Sequence, residues 1–255
     1  PVLSGGELSH QFNLSAANLR ALIDRTRFAI SLEETRYYLN GIYLHAADSD
    51  GTPVLRAVAT DGHRLASIEV PQPEGSQNIP GVIVPRKTVA ELRKLIEETS
   101  DDVSIAMSDT KIRFAFDDAL LTSKLIDGTF PDYNRVIPTE NDKILEVDTK
   151  IFSDAVGRVS AISTEKSRAI KLALTADNLT LSANSADNGS AIEELSVNYR
   201  AEDIEIGFNS RYLQDIAQQI DGASARFTLA DAASPTLVQD TNDESALYVL
   251  MPMRV

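Results

Sequence analysis

The tetrapeptide Asp61-Gly62-His63-Arg64, set within VATDGHRLASIEV (58–70), gathers the groups best suited to chemistry in a chain with only three histidines. A hydrolase reading would use His63 with Asp61 for acid–base work, and it also needs a nucleophile or a metal to act with. The sequence supplies no pattern for either. There is no cysteine, His10 lies in a polar opening stretch, His45 ends a strand-like run, and HxxxH, HExxH, GxSxG, GxGxxG and GxxxxGK[ST] are all missing. A second reading is structural, with Asp61-Gly62 supplying a tight turn. A third is a binding surface, in which Thr60, Gly62, His63, Arg64 and Leu65 form a small, partly apolar concavity with two cationic or donor groups at its rim.

Whichever reading holds, these residues need a frame, and the frame is written twice. FNLSAANLRALIDRTRFAIS (12–31) resembles LEVDTKIFSDAVGRVSAIS (145–163): a strand end, an N-cap residue (Ser15 or Asp148), then a helix with apolar residues at helical spacing. Leu19, Leu22 and Ile23 correspond to Phe152, Ala155 and Val156, and Ser31-x-Glu33-x-x-Arg36 to Ser163-x-Glu165-x-x-Arg168. IVPRKTVAELRKLIEE (83–98) aligns with GFNSRYLQDIAQQI (207–220), Pro85 suiting the first turn of one helix and Asn209 or Ser210 capping the other. The first pair predicts helices over 15–30 and 148–162. Segments 36–45, 53–59, 64–70, 103–107, 111–116 and 119–126 read as strands, as do 168–175, 178–183, 190–197, 203–207, 224–229, 236–239 and 245–253. Turns such as SDGTP and DGTFPDY bound them. The prediction is an α+β protein of two tandem domains, 1–138 and 139–255, each with two helices packed on antiparallel β-sheets of about eight short strands.

A chain of 255 residues, 43% hydrophobic, can build such cores without covalent staples. The lack of cysteine excludes disulfides and thiolate metal sites, and no apolar run is long enough to span a bilayer. With no basic-then-apolar leader, a cytoplasmic protein without membrane contact, cofactor or metal is expected. The opening PVLSGGELSH reads as a linker and suggests a piece of a longer protein. Net charge is −14, which taken globally opposes a nucleic-acid binder. Distribution matters more, because screening over roughly 8–10 Å makes local charge decisive. Arg20, Arg25 and Arg27 fall in the first helix, and Arg86-Lys87 and Arg93-Lys94 in the second, while acids crowd into turns. Basic helices on an acidic body suit a protein that meets a polyanion on one face; ordinary solvated helix faces are the bland alternative. A structural or adhesive β-rich repeat protein would need neither the basic helices nor a chain without an export signal.

VATDGHRLA, together with RYYLNGI (36–42), VIVPRK (82–87), FPDYNRVIP (130–138) and YVLMPMRV (248–255), resembles the bacterial sliding clamp family, the beta subunit of DNA polymerase III. The resemblance runs over the whole chain and covers the second and third of that family's three domains, the family's N-terminal domain being absent from this sequence. It implies a non-enzymatic processivity factor: a head-to-tail homodimeric ring of six similar domains, helices lining the hole around duplex DNA without reading its sequence, sheets forming the outer wall. It implies a groove between the second and third domains that receives short linear motifs from the replicative polymerase, the clamp loader and repair proteins. The positions matching that groove are Leu39, Thr60, Gly62, His63, Arg64, Leu65, Pro131, Arg135, Val136, Val249, Leu250, Met251, Pro252, Met253 and Arg254. Two methionines suit a lining that adapts to several peptides. The DNA-facing positions implied are Arg20, Arg25, Tyr37, Tyr38, Arg86, Lys87, Lys150 and Arg158, and the ring contact is placed at Ala161 and Ile162. A chain without the first domain is expected to stay monomeric.

Overall fold

The computed structural model describes residues 8–163 and 168–255; Glu165 of the repeat and most of the opening linker lie outside them. These residues fall into two compact units that divide at Pro131 and Asp132.

The first unit runs β1 (His10–Ser15), α1 (Ala16–Asp24), β2 (Gly41–Ser49), β3 (Thr52–Thr60), β4 (Arg64–Pro71), β5 (Val82–Pro85), α2 (Arg86–Leu95), β6 (Asp102–Met107), β7 (Lys111–Phe116) and β8 (Ala119–Lys124). Its strands form antiparallel sheets in the orders β1-β6-β7-β8 and β5-β2-β3-β4. The second unit runs β9 (Lys143–Asp148), α3 (Thr149–Ser160), β10 (Ala169–Thr175), β11 (Asn178–Ser185), β12 (Gly189–Ser196), β13 (Asn198–Tyr199), β14 (Ile204–Asn209), α4 (Ser210–Ala217), β15 (Ser224–Leu229), β16 (Thr236–Asp240) and β17 (Ala246–Leu250). Its orders are β9-β15-β16-β17, extended by β13, and β14-β10-β11-β12. Element for element the two units have one topology, so the duplication legible in the helices extends to every ladder except the added β13.

Local chemistry explains the helix starts. The Ser15 hydroxyl accepts the Asn18 N–H at 3.1 Å, Asp148 Oδ1 accepts Ile151 N–H at 2.8 Å and Asn209 Oδ1 accepts Arg211 N–H at 3.0 Å. Pro85 stands just outside α2, in the N-cap position rather than the first turn, and the run before it is β5. Alternation sets the sheet faces: Ile112, Phe114 and Phe116 of β7 point inward while Lys111 and Arg113 do not. In the first unit Leu19, Leu22, Ile23, Val89 and Leu92 of the helices close on Ile42, Leu44, Ala57, Val84 and Phe114. In the second, Phe152 packs on Phe227 with ring centroids 5.2 Å apart, and Val156, Val159, Leu213 and Ile216 are buried around it.

Four further sequence expectations are corrected. The first helix stops at Asp24 rather than residue 30: Thr26 N–H turns to Ile23 O at 3.2 Å and its hydroxyl donates to Leu22 O at 2.6 Å, closing the end as a tight turn. The third stops at Ser160 rather than 162, with Ala161 N–H on Arg158 O at 3.2 Å. Residues 34–39 form two short 3-10 turns joined across a kink at Arg36, whose backbone is not helical, and not the start of a strand. The Ser31 hydroxyl accepts Glu33 N–H at 3.2 Å and Arg36 Nε meets Glu33 Oε2 at 2.7 Å, contacts that suit a tight turn and not an extended chain. The last strand is also shorter than 245–253, because Pro252 has no N–H to continue a ladder beyond Leu250.

Candidate partner-binding and nucleic-acid surfaces

In the first unit the chain between β3 and β4 is a self-bonded turn. Gly62 takes φ +87°, a left-handed conformation that a side chain would strain. Thr60 Oγ1 accepts Gly62 N–H at 3.1 Å and donates to Arg64 O at 2.7 Å. Asp61 Oδ1 accepts the N–H groups of His63 and Arg64 at 2.9 and 3.1 Å, and its Oδ2 accepts Arg64 Nε at 3.1 Å. Arg64 Nη2 also donates to Phe28 O at 2.7 Å, with its guanidinium 5.1 Å from the Phe28 ring centroid. Asp61 is therefore committed to holding the turn, which leaves it poorly placed to serve His63 as a catalytic partner.

The turn presents Gly62 and His63 outward, while Thr60, Leu65 and Leu39 are buried behind it. Arg36, from the 3-10 helix, crosses close to Gly62: a Cβ placed there would come within 2.6 Å of its Nη1. Arg36 is held by Glu33, whose carboxyl the guanidinium keeps below its usual pKa by hydrogen bonding. Sequence reasoning missed Phe28 and Arg36 as parts of this site; the i,i+3 pairing of Glu33 with Arg36 was the available signal for the second. Tyr37 and Tyr38 follow just after the kink at Arg36, edge to face with centroids 5.7 Å apart, Tyr37 exposed and Tyr38 half-buried. Pro131 ends this unit exposed.

In the second unit Arg135 and Val136 are exposed on a 3-10 turn, Arg135 Nε on Asp132 Oδ2 at 2.9 Å. Val249 and Leu250 are buried in β17. Beyond them the chain leaves the sheet as a tail in which Met251 and Met253 are 38% and 39% exposed, Pro252 is half-buried and Arg254 is exposed.

The cations divide into two kinds. Arg20 spans the first unit's helix pair, its Nη1 donating to Ile96 O at 2.8 Å and Thr99 O at 2.7 Å, and so satisfies carbonyls at the end of α2. Lys150 pairs with Asp154 at 2.6 Å, and Arg158 forks onto Glu193 of β12. Those bonds raise the pKa of both cations and lower that of both acids. Arg25 follows α1 half-buried. Arg86 and Lys87 are exposed at the start of α2, with no ion-pair partner among the described residues. There they add to the positive end of the helix dipole instead of offsetting it. At the far end of α3, Ala161 is exposed and Ile162 half-buried, its carbonyl accepting Asn188 Nδ2 at 3.1 Å.

Comparison with known proteins agrees with this anatomy. Residues 13–132 match the model for the central domain of the DNA polymerase III beta subunit, and 134–254 the model for its C-terminal domain. All 255 residues align with the beta sliding clamp of Caulobacter vibrioides at 55% identity, covering 68% of that protein, and with that of Escherichia coli at 36%, again 68%. A Bartonella birtlesii sliding clamp bound to griselimycin superposes on the whole chain with TM-score 0.97 at 52% identity, over 69% of its length. The sliding clamp of Caulobacter crescentus does so with TM-score 0.96 at 54%, over 68%. With two domain models in register along the chain and relatives this similar over its full length, the chain belongs to the bacterial beta sliding clamp family of DNA polymerase III.

Proposed function

We propose that this chain provides the DNA-facing and partner-binding parts of a processivity clamp, which encircles duplex DNA and tethers the replicative polymerase, the clamp loader and repair proteins through short peptide motifs. The work is mechanical tethering and not bond chemistry, carried out in the cytoplasm, with Ala161 and Ile162 contributing to the subunit contact of a head-to-tail homodimeric ring. The observation that carries the reading is the pairing of a full-length family match with a C-terminal tail that exposes Met251 and Met253. Unbranched thioether side chains adapt to partners of different shape, which suits a surface that receives several motifs. Arg86 and Lys87 supply positive potential without base-reading geometry, which suits a protein that slides.

A peptide carrying a glutamine and two spaced large apolar residues, titrated by fluorescence anisotropy, should bind with an affinity on the order of micromolar. Met253→Asp places a charge in that apolar lining and should abolish the binding. Equal affinity in the variant would overturn the site assignment.

A further inference from the structure

Beyond β17 the tail returns to β14, the edge strand of the second unit's β14-β10-β11-β12 sheet. It is fastened there by one backbone bridge, Gly207 to Met253, in which Met253 N–H donates to Gly207 O at 2.7 Å. The tail can lie so close because residue 207 has no side chain. A Cβ at that position would come within 2.6 Å of Met253 O and would strike the Val255 side chain as well. Real Cβ atoms do not make such approaches to backbone oxygens, so any other residue at 207 must push the tail away. Gly207 is buried and its conformation is ordinary extended strand, which leaves close approach as the reason for glycine.

Gly207 also precedes the turn into α4, where Asn209 caps the helix. The tail is thereby registered against a strand end that is rigid on both sides: β10 pairs β14 along its length, and α4 begins at Ser210. One hydrogen bond and one close contact fix the height and direction of a segment that otherwise carries no ladder of its own. The two exposed thioethers stand on either side of Pro252, whose ring fixes φ and limits how the segment can rotate.

We infer that Gly207 is a positioning residue for partner binding: it touches no partner itself, and it sets the register of the C-terminal tail so that Met251 and Met253 are presented as a preorganised apolar lining. The inference rests on the partner-site reading above and adds to it the residue that determines the lining's geometry. A displaced tail would keep both methionines and lose their placement, so affinity should fall by about tenfold.

The test uses the chain with all three methionines labelled at the 13C methyl. Met107 lies fully buried in the first unit and reports that unit's fold, the backbone amide resonances of β10 and β11 report the fold of the second, and Met251 and Met253 report the tail. In Gly207→Ala the Met251 and Met253 resonances should shift, Met107 should hold, and the glutamine-containing peptide should bind about tenfold more weakly. Gly207→Ala with Val255→Ala removes one of the two clashes and should recover part of the affinity. Should Gly207→Ala fail to fold, the α-hydroxy analogue of methionine at 253 replaces the N–H that meets Gly207 O with an ester oxygen, leaving every side chain in place, and it should give the same resonance shifts and weaker binding. Tail resonances and affinity both at wild-type values overturn the inference, and so does weaker binding with unmoved tail resonances. Peptide that fails to bind even the unaltered chain overturns the partner site itself and this role with it. Binding to the unaltered chain with undiminished affinity in Gly207→Ala overturns the role of Gly207 alone.

Discussion

Arg64 shows how far a single residue's role can lie from its apparent one. Its type and place beside His63 suggest a cation at the rim of a site. Its side chain is only 10% exposed, with Asp61 at 16%, and the pair is completed by Phe28 O. Arg64→Ala would leave the Asp61 carboxylate half-satisfied and remove the packing on Phe28, at a cost of about 2–4 kcal/mol. Urea unfolding followed at tyrosine should show that loss, and Arg64→Lys should recover less than half, because an ammonium cannot serve two acceptors in a planar fork. Full recovery by lysine would mean that charge alone matters. Residues whose partners are near in sequence were legible in advance: Ser15 and Asp148 are caps by type and position, and Asn209 was one of two candidates for the last helix. Arg20 was not, because its acceptors lie 76 and 79 residues away, and nothing local separates a guanidinium that caps a distant helix from one that faces solvent.

At the scale of elements, strand positions were read well where turn chemistry bounded them and poorly where a short apolar run met a tight turn. RYYLNGI is rich in strand-forming residues, yet the Glu33–Arg36 pair and the Ser31 hydroxyl give 34–39 a 3-10 course, and the strand begins only at Gly41. The β2-β3-β4 ladder then sets His45 opposite Arg56, and Arg56 opposite Glu69. Tyr43 stacks on His45 with centroids 4.6 Å apart and on Phe130 at 4.9 Å. Burial in this row holds the His45 pKa below its ordinary value, opposed by its bond to Ala46 O and by Glu69 and assisted by Arg56. A histidine whose folded pKa is depressed binds its proton better when unfolded. Its contribution is therefore fully present above the unfolded pKa of about 6.5 and is lost as pH falls toward the folded value. Between pH 7 and 5 the wild-type chain should lose more stability than His45→Gln, as read from paired thermal melts. Parallel curves would remove His45 from the account.

For the whole molecule, the net charge of −14 says little about where a polyanion would meet it, since most of the basic residues have acidic neighbours within the fold. Arg86 and Lys87 form an exposed adjacent pair without such neighbours among the described residues. In a closed ring built with this sequence, replacing both with alanine should lower the slope of log affinity against log salt by up to about 2 and weaken binding equally for every DNA sequence. A base-dependent loss would contradict the sliding reading. The distribution of sulfur is another whole-molecule property. With no cysteine to compete, oxidants meet only three thioethers, of which Met107 is sealed in the core and Met251 and Met253 stand at the surface. Mild peroxide should convert the tail pair to sulfoxides well before Met107, turning an apolar lining polar while the fold persists. Peptide mass analysis would follow the order of oxidation, and methionine sulfoxide reductase should restore partner affinity. On the function proposed above, the same soft side chains that would let one tail accommodate many partners would also make it the place where oxidative damage first breaks that connection.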